Sequence, residues 1–268
     1  MTYNILIISL LTFLIHFVGT IAYAVRIVGI RTGKNAISWA MFNIISLFAR
    51  VATTFQAPLL AKTIENNIHL GKVNDVSDFR IIIFAATLAT CVGAFAIPTA
   101  HRFLQKGVES LYHHQSMTKV IWKIFRLKTF FHFWKSLTWP KLSNLSFFLK
   151  YRDIPLKIMF LQAIVNAVLT VSVLSCLYAG YLNPSLRSTT ASMTGVANSV
   201  AVILSLVFLD PNMAILTDRV LAGKKTQAYF RKYFVFVVFS RLIGTILGQL
   251  LLIPIAHFVI YIAENLYV

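Results

Sequence analysis

Six apolar stretches divide this chain, at roughly 4–25, 36–61, 81–100, 157–182, 189–209 and 233–262, and each is long enough to be a membrane helix. A hydrocarbon core of about 30 Å takes about 20 helical residues to cross. Within it the backbone must satisfy its own hydrogen bonds, which leaves helices or a closed barrel. The runs are continuous rather than alternating, which argues against the barrel. The expected fold is therefore an all-α integral membrane protein, six transmembrane helices in a single polytopic domain over residues 1–268.

The basic residues orient these spans. Nineteen of the 25 Lys and Arg fall in the odd-numbered gaps. Arg26, Arg31 and Lys34 occupy the first, eleven residues from Arg102 to Lys157 the third, and Arg219, Lys224, Lys225, Arg231 and Lys232 the fifth. The even gaps hold Lys62, Lys72, Arg80 and Arg187. The positive-inside rule then puts the odd gaps in the cytoplasm and both termini outside. A net charge of +17 would suggest nucleic acid in a soluble chain; here loops facing anionic headgroups account for it, and no nucleic-acid partner is expected. Ala22-Tyr23-Ala24 resembles a signal-peptidase site, but the basic residues follow the apolar run instead of preceding it, so the run reads as a retained first helix.

The third gap, 101–156, is the one substantial extramembrane segment in this reading. Its residues 118–137 interleave Lys119, Lys123 and Arg126 with Trp122, Phe125, Phe130, Phe131, Phe133 and Trp134. This pattern suits an amphipathic basic insertion lying in the cytoplasmic headgroup layer between the third and fourth helices, either as an anchor or to gather an anionic lipid.

Polar residues recur at helical spacing within the spans: His16, Thr20 and Tyr23; Asn43, Ser46, Arg50 and Thr53; Gln162, Asn166 and Thr170; Thr190, Thr194 and Asn198; Arg241, Thr245 and Gln249. Residues three or four apart share a helix face. Each line alone fits ordinary interhelical hydrogen bonding; five together favour a shared hydrophilic cavity. The third span is poorer in polar groups and is expected at the periphery. Gly244 and Gly248 form a small-xxx-small face suited to close packing. Arg50, Thr54, Gln56 and Pro58 in the second span match Arg241, Thr245, Gln249 and Pro254 in the sixth, a weak internal similarity.

Arg50 and Arg241 are the most specific signals. A charged side chain at the centre of a span costs about 2.5–3.5 kcal/mol on insertion scales, and arginine stays protonated. The eight acidic residues all map to loops or span ends, so neither arginine has an obvious carboxylate partner. Two readings stay open: pairing with helix carbonyls, or an anionic substrate that supplies the missing charge. Guanidinium suits phosphate because its planar fork donates two hydrogen bonds at once.

Enzyme signatures are lacking. There is no His-Glu-x-x-His motif and no Walker loop, and Ser240-Arg241 lacks the downstream histidine of a lipid phosphatase, Leu247 standing in its place. No cofactor or metal is expected; His113-His114 has no accompanying ligand set. A membrane enzyme acting on polyprenyl phosphates and a cell-wall scaffold docking through 101–156 are the alternatives to transport.

Several residue groups together carry a family likeness. They are His16, Thr20, Ala22-Tyr23, Arg26, Gly29, Arg31-Thr32-Gly33-Lys34, Phe42-Asn43, Arg50 and Gln56-Ala57-Pro58, then Tyr178-Ala179-Gly180-Tyr181-Leu182, Thr194-Gly195, Asn198, Asp210-Pro211 and Thr217-Asp218. With this set the chain resembles the Amj family, bacterial lipid II flippases that are an alternative to MurJ. The resemblance implies a multi-pass protein of the bacterial cytoplasmic membrane that exports the undecaprenyl-pyrophosphate-linked precursor of peptidoglycan, with membrane lipids around it; a homo-oligomer is compatible with it. The physical reading assigns the roles. Arg26, Arg31 and Lys34 draw the headgroup in, Arg50 and Arg241 pair with pyrophosphate, and Asn43, Gln56, Asn198, Gln249 and Gln162 hydrogen-bond sugar and peptide. His16 is a candidate for proton coupling. Asp210-Pro211 is expected to end the fifth span.

Overall fold

The computed structural model describes residues 3–71, 76–114 and 154–266, and the basic-aromatic run at 118–137 lies outside them. All regular structure among the described residues is helical. The helices are α1 (Tyr3–Ile21), α2 (Tyr23–Thr32), α3 (Asn35–His69), α4 (Ser77–His114), α5 (Leu156–Leu182), α6 (Arg187–Ser192), α7 (Thr194–Leu204), α8 (Asp210–Leu221) and α9 (Gln227–Glu264). A short 3-10 turn, Pro184–Leu186, precedes α6, and a π-helical turn, Ser205–Leu209, joins α7 to α8. Six units are long and apolar enough to cross a membrane: 3–32, 35–69, 77–113, 156–182, 184–221 and 227–264. The protein is thus a multi-pass membrane protein with the expected number of spans.

Most of the helical units overrun the apolar stretches, because hydropathy marks the oil-facing part of a helix and not its charged last turns. The turns at one end use left-handed glycines, with φ of 70° at Gly33 and 72° at Gly223, a conformation that costs glycine little. Each is followed by lysine, so this end of the bundle is the basic one.

The fifth unit differs from expectation. Asp210-Pro211 does not end it; the helix runs on to Leu221. Pro211 has no N–H to donate, and the wider π turn just before it absorbs the mismatch without breaking the rod. The side-chain amide of Asn212 donates to the Phe208 carbonyl at 2.6 Å.

Packing makes α4 central, correcting the peripheral expectation. It lies against α1 and α9, with Ile82, Ile83, Ala86, Ala89 and Thr90 fully buried. Its missing polar groups reflect a dry helix–helix seam, which composition alone does not separate from a lipid-facing one. The Gly244 and Gly248 face meets α5 as expected. A methyl at Gly244 would lie 2.6 Å from the Ala163 carbonyl oxygen, so the α5–α9 backbones approach as closely as they do because glycine is there.

Helix α3 behaves differently. Ser38 and Met41 are buried near its start and Gln56, Leu60, Thr63 and Ile64 further on, but no residue from 42 to 55 is buried. Between these ends one face of the helix is half-buried, with Phe42 and Ile45 packed on the core, and the other, with Asn43, Leu47, Arg50 and Thr54, is exposed. At the far end from the basic loops, Leu60 and Ile64 join a core of Ile5, Ile8, Phe79, Leu174 and Tyr178.

Candidate functional site

Helical rise sets the depths. Gln56 of α3 donates from Nε2 to Thr12 Oγ1 of α1 at 2.6 Å, fixing the register of these helices. From that contact, Arg50 is six residues, or about 9 Å, toward the basic end, and His16 and Gly19 are about 6 and 10 Å in the same direction. Arg50 and the Gly19 region therefore share a level in the middle of the bundle.

Arg241 reaches the same level from α9. Its Nη1 donates to Asn166 Oδ1 of α5 at 3.3 Å. Its Nη2 rests against α1, 2.8 Å from where a Cβ at Gly19 would be. Asn166 in turn donates from Nδ2 to the Gln162 carbonyl at 2.7 Å, and Thr170 donates to the Asn166 carbonyl, so the acceptor is held from both sides along α5. His16, one turn from Gly19, lies within electrostatic reach of the guanidinium. Arg241 Nε and His16 Nδ1 are buried with no hydrogen-bond partner, and no carboxylate pairs with Arg241 among the described residues. The result is a cationic centre joining α1, α5 and α9, with donors left over and the positive charge uncompensated. Sequence reasoning named Arg241, His16 and Gln162 but passed over Asn166 and Gly19. Their signals were the four-residue line 162–166–170 and a glycine one turn from His16.

The structure does not bring Arg50 into that contact set. It is exposed on α3 and makes no side-chain hydrogen bond or ion pair among the described residues. Asn43, Arg50, Ala57 and Ile64 recur every seven residues and so share a face. Ile64 on that face reaches α5 and α6, where Ala61, Ile64, Glu65, Leu177, Arg187 and Ser188 line a hollow of about 250 Å³. Arg50 and Asn43 thus both lie on the exposed side of α3. The matching Arg-Thr-Gln-Pro order in α3 and α9 does not give the two arginines a common environment.

Two ion pairs join helices near the two ends of the bundle. At the basic end Arg26 Nη2 of α2 lies 3.3 Å from Asp210 Oδ1 at the start of α8. Arg26 is 6% exposed, and its Cζ is 4.2 Å from the Trp39 ring and 4.1 Å from the Phe42 ring, both on α3. At the far end Arg187 of α6 meets Glu65 of α3 at 3.1 Å. This corrects two expectations. Asp210 is not a span end but part of the fifth membrane unit, and Arg26 is not an open lure at the hairpin mouth but a buried, paired cation.

The other predicted residues fall in distinct places. Arg31 is exposed and lines a cavity of about 650 Å³ between α2, α4 and α9. Lys34 Nζ sits 3.9 Å from the Tyr112 ring centre. Gln249 donates to the Arg80 carbonyl at 2.9 Å, its Oε1 buried without a partner. Asn198 Oδ1 accepts from Ser172 at 3.4 Å. No group of His, Cys, Asp and Glu suited to a metal occurs among the described residues.

Comparison with known proteins identifies the family. The family model described as Amj, alternate to MurJ, matches residues 11–263. A relative named lipid II flippase Amj, from Bacillus subtilis (strain 168), is 31% identical over 268 residues, covering 98% of this chain and 98% of its own length. No solved structure matches the chain. A match over nearly the whole length, to a chain of six spans with an uncompensated cationic centre, leaves one conclusion: this protein belongs to the Amj family.

Proposed function

We propose that this protein is a lipid II flippase of the bacterial cytoplasmic membrane, a transporter rather than a catalyst, built as one polytopic domain with its basic end in the cytoplasm and both termini outside. The observation that carries the reading is the Arg241 centre. A guanidinium held at mid-depth by neutral partners, with no carboxylate, is costly in a membrane unless an anion visits it. Its planar fork suits the pyrophosphate of a polyprenyl carrier. The relative's name supports this substrate.

Arg50 supports a protected path for the headgroup. An exposed arginine at this depth belongs against water or a polar ligand, not hydrocarbon. The exposed side of α3 supplies a wall carrying Asn43 and Arg50, and α5 to α7 with Asn198 supply the other. Gln56, Gln162 and Gln249 border the route, although Gln56 and Gln249 already use their amide donors within the protein. The hydrocarbon tail stays in lipid while the headgroup moves along this wall.

The two ion pairs act as straps across its ends. Opening Arg26–Asp210 admits the headgroup from the cytoplasm, and opening Arg187–Glu65 releases it outside; alternation between them is the mechanism. With the cell interior negative, each outgoing negative charge gains about 2.3 kcal/mol per 100 mV, so transport needs no nucleotide.

The test is movement of lipid II in proteoliposomes, with and without an imposed potential. Wild type should translocate it, and Arg241→Gln should insert normally and fail. Full translocation by Arg241→Gln would overturn the assignment of the centre.

A further inference from the structure

The 650 Å³ cavity at the basic end is separate from the Arg241 centre, and its walls are unusual. Arg31 comes from α2, His101 and Arg102 from α4, and Gln227, Arg231 and Lys232 from α9. No acidic residue is among its lining. Arg31, Arg102 and Arg231 thus line one hollow together with His101. None of them forms an ion pair among the described residues. His101 Nε2 is buried there without a hydrogen-bond partner.

Three like charges around one hollow repel one another, and a single polyanion removes that repulsion while gaining charge-assisted hydrogen bonds from each. One turn further along the same three helices the lining is apolar: Ile27, Ile97, Pro98, Val235 and Phe236. A basic face beside an apolar one suits a phosphate carried on a hydrocarbon chain. Arg26 has no part in it. Five residues from Arg31 on the same helix, it turns the other way to meet Asp210 and the α3 aromatics.

We propose that this cavity binds a pyrophosphate-bearing anion at the basic end, as a site distinct from the mid-membrane centre. The proposal rests on the transport reading only for the idea that the anion is cargo awaiting passage. Binding itself follows from the cavity alone.

The experiment uses the full chain in neutral phosphatidylcholine nanodiscs, titrated with inorganic pyrophosphate and with geranyl pyrophosphate. Wild type should bind saturably, and Arg102→Gln/Arg231→Gln should weaken binding by about tenfold or more, as expected for losing charged hydrogen bonds. Arg102→Lys/Arg231→Lys keeps the charge and should bind with intermediate affinity, which guards against misfolding of the glutamine variant. Arg219→Gln, an exposed arginine outside the cavity lining, should bind like wild type. Tighter binding of geranyl pyrophosphate than of pyrophosphate assigns a lipid headgroup; equal binding assigns a free anion. Absence of saturable binding, unchanged affinity in the Arg102→Gln/Arg231→Gln variant, or equal loss in Arg219→Gln would overturn the site. Binding without lipid II movement in proteoliposomes would keep the site and remove the transport reading; movement without binding would do the reverse.

Discussion

Replacing Asp210 with Asn removes the charge from one end of the Arg26–Asp210 strap while keeping its size. Breaking a fully buried ion pair costs about 3–5 kcal/mol, and an exposed one contributes about 0–1 kcal/mol. This pair lies between, since Arg26 is 6% exposed and Asp210 33%, with one contact at 3.3 Å. Trp39 and Phe42 continue to hold the guanidinium after the change. A loss of about 1.5–3 kcal/mol follows, and at 1.4 kcal/mol per tenfold the balance between closed and open basic ends moves by about 10–150-fold toward open. The readout is the labelling rate of Asn43→Cys by a membrane-impermeant maleimide added from the basic side, with Cys91 and Cys176 replaced by Ala. Asp210→Asn should raise that rate, and Asp210→Glu, whose carboxylate can still reach Arg26, should give an intermediate value. A rate unchanged by Asp210→Asn in a protein that unfolds at the wild-type temperature would refute the strap.

The opposite strap should respond more weakly. Glu65→Gln removes a pair that is 34% and 40% exposed, so about 0.5–1 kcal/mol and a few-fold rise in labelling from the far side are expected. Gly244→Leu should force α5 and α9 apart, lowering stability by about 1–3 kcal/mol in a detergent unfolding assay and pulling Asn166 from Arg241. Gly195→Ala, which meets nothing within 4 Å, should leave stability unchanged or slightly raised in the same assay. Arg50→Ala should abolish lipid II export while the protein still accumulates, and Arg50→Lys should fail as well if two parallel hydrogen bonds to phosphate matter; complementation of a flippase-deficient strain measures both.

The residues that sequence and structure treat differently share a cause. Arg26 stands just past an apolar stretch and reads as an exposed basic loop residue, yet it is buried against an aspartate 184 positions away. Arg50 stands deep in an apolar stretch and reads as buried, yet it is exposed because it lies on the side of α3 that the other helices do not cover. Asp210-Pro211 reads as a stop, and a π turn carries the helix through it. Arg241 reads as a lone cation in its span, yet its partners Asn166 and Gly19 come from two other helices.

Hydropathy and the spacing of glycine, proline and charge are local properties of the chain, and they settled the number of spans, their helical nature and the concentration of positive charge at one end. Helices in a membrane choose neighbours through close packing of small residues and a few polar contacts between segments remote in sequence. The α5–α9 seam, the placement of α4, the two straps and the meeting of three helices at Arg241 were decided there, in the tertiary structure, where side chains 75 to 184 residues apart first meet.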